Sequence, residues 1–137
     1  MGGNVFTYGS LMFPEVWLRV IGKSYEKTEA RLPGYQRRKV KNEPYPALIS
    51  GVPTDNVEGI LYLDVSTSDL ASLDRFEGPF YQRIEVQCEL QDGRRLPAHV
   101  YIFRGEYTHL LEDETWDPVW FAKVGLHEFL REYDGFA

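Results

Sequence analysis

The run Val5-Phe6-Thr7-Tyr8-Gly9-Ser10-Leu11 carries an apolar strand into a Tyr-Gly-Ser turn that has the makings of an anion receiver. Gly9 has no Cβ, so a ligand can approach the backbone there. The amides of Ser10 and Leu11 follow, and successive amides in such a turn can converge on negative charge. Taken alone, the turn reads as an ordinary strand-to-helix connection. Glu77 is the sharper signal, because it recurs at helical spacing with Leu70 and Leu73 and is flanked by Phe76 and Phe80. A carboxylate on an apolar face loses hydration, which raises its pKa, and the carboxyl end of a helix dipole works in the same direction. A carboxylate tuned upward is what a general base near neutral pH requires. Two readings are open at this point: that base, or a helix that frays at Phe76 and turns Glu77 to water.

The remaining reactive residue types read as structural. His99, His109 and His127 have no metal-like spacing with one another or with Cys88. Cys88 lies between Val86 and Leu90 on the apolar face of a predicted strand, as a buried small hydrophobe does. One cysteine cannot close an intramolecular disulfide, which fits a reducing compartment. Glu112-Asp113-Glu114 reads as a solvated loop, and Arg37-Arg38-Lys39 with Lys41 as a solvated strand edge. Phosphate-binding glycine motifs and an ordered Ser, His and Asp set are absent from the sequence, so neither cofactor nor metal is expected.

Several elements must position the turn and the glutamate. Gly3 to Tyr8 reads as a first strand, with Val5 and Thr7 on one face and Phe6 and Tyr8 on the other. Pro14 opens a short helix that ends before Gly22 and buries Val16, Trp17, Val20 and Ile21. Pro33-Gly34 and Pro44-Tyr45-Pro46 break the next stretch into short extended segments. Val57, Gly59, Leu61, Leu63 and Val65 alternate as one face of a strand. Ser66 or Thr67 caps a second helix, which Gly78-Pro79 ends. Two strands follow, Tyr81 to Leu90 and Leu96 to Phe103, joined near Asp92-Gly93. Asp117 and Pro118 start a final helix with a stripe of Val119, Ala122, Leu126, Phe129, Leu130 and Tyr133.

These elements predict one α+β domain over 1–137, a curved or closed mixed sheet with peripheral helices. At 137 residues, 43% apolar and 15% aromatic, the chain can bury a core without staples. A net charge of -6 argues against nucleic acid, which demands clustered cations. No stretch approaches the ~20 apolar residues that cross a bilayer, and the first residues have neither the basic segment nor the apolar run of a signal peptide. The expectation is a soluble, cytoplasmic protein with no membrane partner.

Val5 to Leu11, Pro33-Gly34-Tyr35, Tyr45-Pro46-Ala47, Val57-Glu58-Gly59, Leu73-Asp74-Arg75-Phe76-Glu77 and Tyr81-Gln82-Arg83 occur in an order that resembles the gamma-glutamylcyclotransferase-like family, in its avirulence-induced-gene-like branch. The resemblance runs from about Val5 to Phe103. It implies a small mixed β-barrel with flanking helices and a cavity at the barrel mouth. It also implies a loop of Tyr8, Gly9, Ser10 and Leu11 that receives a small-molecule gamma-glutamyl substrate, and Glu77 as acid and base releasing 5-oxoproline. Tyr8 and Tyr81 are expected to line the cavity and bond substrate through their hydroxyls, and Pro46 to shape its wall. Glutathione-pathway members resemble Tyr-Gly-Ser-Asn-Leu at the loop, whereas Leu11 follows Ser10 here, so an amino acid, an amine or a protected metabolite could carry the gamma-glutamyl group. The competing readings are a binding module for a small carboxylated metabolite and an interaction protein that docks through Trp116 and Trp120.

Overall fold

The computed structural model describes residues 2–133, with side chains through 131. Seven strands, β1 (Gly3–Thr7), β2 (Lys27–Pro33), β3 (Tyr35–Lys39), β4 (Pro46–Ser50), β5 (Asn56–Val65), β6 (Tyr81–Leu90) and β7 (Arg95–Phe103), are interleaved with helices α1 (Pro14–Ile21) and α2 (Thr67–Glu77). A carboxyl-terminal helical segment follows, formed by α3 (Pro118–Trp120), a π turn over Phe121–Gly125 and α4 (Leu126–Tyr133). Five strands close a barrel in the order β1-β5-β2-β6-β7, sealed by a parallel contact of β1 with β7 at Val5 and His99. The strands β3 and β4 pair separately as an antiparallel ribbon. No helix among the described residues is long and apolar enough to cross a membrane.

Period-2 alternation in β1 divides the core. Phe6 and Tyr8 join Leu32, Leu61, Cys88 and Val100 in one cluster, while Val5 packs with Trp17, Tyr62, Leu70 and Leu73 between barrel and helices. The alternation expected through β5 fails after Leu61. Gly3 faces Val65 while Val5 faces Tyr62, so β5 carries an extra residue, and Asp64 takes a φ of 53°. That bulge turns Val65 to the face of Tyr62 and leaves Leu63 half-buried. The helices cover this side of the barrel, so Tyr62 is buried as well.

The stripe expected on the last helix is also corrected. Val119 is 59% exposed and Ala122 is exposed, because the π turn shifts the helix face. Leu126 and Phe129 of that stripe are buried as expected, and Phe121 and Gly125 face inward beside them. The expected place of Tyr133 in that stripe lies outside the described side chains. Trp116 is buried and donates its indole N–H to the Pro44 carbonyl at 2.7 Å, which removes it from any docking surface. Cys88 is buried as expected, and burial pushes its thiol up.

Candidate active site

A cavity of about 560 Å³ opens at one end of the barrel, and Tyr8, Gly9, Ser10, Leu11, Glu77 and Tyr81 all line it. The chain brings them together from three places. β1 ends at Thr7 and leaves the Tyr8–Leu11 turn at the rim, α2 delivers Glu77 as its last residue, and Tyr81 opens β6 just after it. Pro46 at the start of β4 forms part of the wall.

The helix does not fray at Phe76. The Ser66 hydroxyl caps its start by accepting from the Asp69 amide at 3.2 Å, and Leu70 and Leu73 pin its middle into the core. Gly78, at a φ of 81°, closes the other end by donating to the Asp74 carbonyl at 3.2 Å. Part of Glu77 therefore faces the cavity, and protein encloses its carboxyl group on the other sides. Burial first, and the negative charge of Asp74 second, raise its pKa to about 8.

The turn is held by its carbonyls. Tyr8 O accepts from an Arg37 guanidinium nitrogen at 2.8 Å, Gly9 O from the Met12 amide at 3.0 Å, and Ser10 O from the Phe13 amide at 3.1 Å. In a planar trans peptide the N–H points opposite to the C=O. Fixing these three carbonyls therefore fixes the amides of Gly9, Ser10 and Leu11, and no acceptor among the described residues takes a hydrogen bond from them. The Leu11 carbonyl is tied as well, accepting from the Tyr62 hydroxyl at 2.9 Å, and Tyr62 stacks on Trp17 with ring centroids 3.7 Å apart. Gly9 has a further reason to lack a side chain: a Cβ there would lie 2.7 Å from the Pro46 ring. The space was expected for a ligand and is filled by proline.

Tyr8 donates its hydroxyl to the Tyr101 carbonyl at 2.6 Å, and Tyr81 donates to the Pro46 carbonyl at 2.8 Å. Burial lifts both phenols well above their ordinary range, so they stay neutral. With their protons committed, both hydroxyls have only acceptor lone pairs left to offer a ligand.

Four supporting residues escaped the sequence reading. Tyr62 and Arg37 anchor the turn, while Tyr101 lines the cavity and donates to Asp74 at 2.6 Å. Asp74 also accepts from Arg83 at 2.9 and 3.2 Å. Arg37 is a correction, because it is half-buried against Trp116 and does not extend into solvent. Its signal was strand alternation, which puts Arg37 and Arg38 on opposite faces of β3.

The family model described as gamma-glutamyl cyclotransferase, AIG2-like, matches residues 5–118. Protein AIG2 C of Arabidopsis thaliana is 31% identical over 101 residues, which are 73% of this chain and 61% of that protein, so the match spans about three fifths of its length. AIG2-like protein D of the same plant is 30% identical over 136 residues, 98% of this chain and 88% of that protein. The solution structure of another Arabidopsis thaliana protein superposes with a TM-score of 0.74 at 25% identity, covering 99% of this chain and 82% of that one. With a match that starts in β1 and runs past the last barrel strand, the chain belongs to the gamma-glutamyl cyclotransferase, AIG2-like, family.

Proposed function

We propose that the protein is a cyclotransferase that releases 5-oxoproline from a gamma-glutamyl amide, an acyl transfer within one substrate molecule. The observation that carries this reading is Glu77, a carboxylate raised to about 8 inside the cavity that the Tyr8–Leu11 turn also lines.

The ionised Glu77 takes a proton from the substrate's α-ammonium group. The freed amine attacks its own γ-carbonyl carbon, closing a five-membered ring and placing negative charge on the carbonyl oxygen. Amides of Gly9, Ser10 and Leu11 receive that charge, and because their carbonyls are already committed they need no reorganisation. The bond to the departing nitrogen then breaks as Glu77 delivers its proton there, and the ring nitrogen, which the attack leaves with two hydrogens, gives its extra proton to the emptied Glu77 carboxylate, from which it passes to the released amine. A base near 8 is matched to both transfers, since a far stronger acid would not take the first proton and a far weaker one would not release it. The lone pairs of Tyr8 and Tyr81 suit the ammonium before it is deprotonated. Nucleophile and electrophile belong to one molecule, so the protein has only to fold it, and such positioning is worth roughly 7–11 kcal/mol.

The test is purified protein incubated with a panel of gamma-glutamyl amino acids and amines, with 5-oxoproline followed by mass spectrometry beside a Glu77→Gln control. Product is expected from the wild type, with a loss of at least about 100-fold in the folded variant, the usual scale for a general acid and base. Binding without turnover in the wild type would favour a metabolite carrier, and equal turnover would remove Glu77 from the chemistry.

A further inference from the structure

Among the described residues Arg75 is the one arginine on the cavity wall, two residues before Glu77 on α2, and it is exposed. Its recorded partner is the Ser72 hydroxyl, to which it donates at 3.1 Å, and Ser72 lines the cavity too. Other surface arginines meet carboxylates: Arg31 and Arg95 meet Glu89, Arg83 meets Asp74, and Arg94 meets Asp92. No carboxylate among the described residues pairs with Arg75. The remaining charged groups on the wall are Glu43, from the connection between β3 and β4, and Glu77. Among the described residues an anion entering the cavity mouth therefore has one cation on the wall to meet, and Glu43 repels it from the opposite ribbon.

We propose that Arg75 is a specificity residue that receives a carboxylate on the departing part of the substrate, so that gamma-glutamyl amino acids or peptides are preferred to simple gamma-glutamylamines. This rests on the cyclotransferase reading. There the glutamyl head folds against the enclosed Glu77 and the turn, and the departing group extends toward the open end, where Arg75 is exposed. A guanidinium presents a planar fork of donors that matches a carboxylate, and one already oriented by Ser72 loses less freedom on binding.

The test uses a matched pair, gamma-glutamyl-alanine and gamma-glutamyl-ethylamine, which differ by one carboxylate on the leaving amine. In the wild type, kcat/KM for the alanine compound should exceed that for the ethylamide by about 2- to 5-fold, the scale of one ion pair near solvent. Arg75→Gln should bring the ratio close to one, mainly through KM, and Arg75→Glu should reverse it. Equal values in the wild type, or a preference that survives Arg75→Gln, overturn the proposal. So does an equal fall in both arms, which would place Arg75 on the glutamyl head. No 5-oxoproline from either compound sinks the cyclotransferase reading itself, and this assignment with it. Product in both arms with an insensitive ratio sinks only the assignment of Arg75.

Discussion

Asp74 and Glu77 lie one turn apart on α2, and the charge of Asp74 helps to keep Glu77 protonated. Desolvation works against the Asp74 charge, but the Tyr101 hydroxyl and the Arg83 guanidinium outweigh it and hold its carboxyl below the usual range. The pair is thus pushed apart, one carboxylate fixed as an anion and the other poised for proton transfer.

The pH dependence of turnover follows. If ionised Glu77 is the base, kcat/KM should rise with pH along a limb centred near 8. Asp74→Asn keeps the shape and an acceptor for Tyr101 while removing the charge, so the limb should move to lower pH. Profiles of both proteins measure this. A wild-type limb centred near the ordinary carboxylate range would contradict the assignment.

Stability should carry the same signature without any substrate. The Glu77 pKa in the folded protein, about 8, lies above its unfolded value near 4.5. Its contribution is therefore fully present below pH 4.5 and is lost as pH rises through 8. The total loss is on the order of 5 kcal/mol. Glu77→Gln escapes it, so the variant should gain on the wild type as urea midpoints are compared first at acid pH and then above pH 8. A constant difference across that range would mean that the carboxyl group is freely hydrated.

The parts of this site that follow from local rules were legible in the sequence, and those set by long-range closure were not. A serine cap, leucines at helical spacing and a glycine stop place Glu77 without reference to anything distant. Alternation in β1 fixes which way Tyr8 points. The Arg37 hold on Tyr8 spans 29 positions and the Tyr62 hold on Leu11 spans 51, so both depend on how the ribbon and the barrel meet. The π turn and the β5 bulge each add one residue to a regular period, and a reading by periodicity passes over such insertions. Trp116 reads as a surface aromatic because nothing near it in sequence reveals the Pro44 carbonyl it bonds.

Gly9 and Pro46 should behave as one unit. In Gly9→Ala the new methyl meets the Pro46 ring at 2.7 Å, and that ring cannot retreat freely, because the Pro46 carbonyl accepts the Tyr81 hydroxyl. The substitution should cost about 1–3 kcal/mol, as overpacking does. Pro46→Ala removes the colliding ring atoms, so the double variant should recover part of that loss. Four denaturation curves close the cycle. Strict additivity would show that the contact is not tight.

Arg37 and Arg38 offer a controlled comparison, since they are neighbours on β3 with opposite tasks. The Arg37 guanidinium donates to Tyr8 O at 2.8 Å and lies 5.4 Å over the Trp116 ring, and its Nε is buried without a partner. Arg38 faces Asp113 at 3.5 Å in an exposed pair. Arg37→Met keeps apolar contact with Trp116 but releases the Tyr8 carbonyl, which should cost about 1–3 kcal/mol, offset in part because the unpaired buried Nε disappears too. More diagnostic is the split in kinetics. A loosened Gly9 amide weakens support for charge that develops only in the transition state, so kcat should fall by about 10-fold or more with a smaller change in KM. Arg38→Met should shift stability by no more than about 0.5 kcal/mol and leave kcat alone. Equal effects from the two variants would mean that the guanidinium does nothing for the turn beyond filling space.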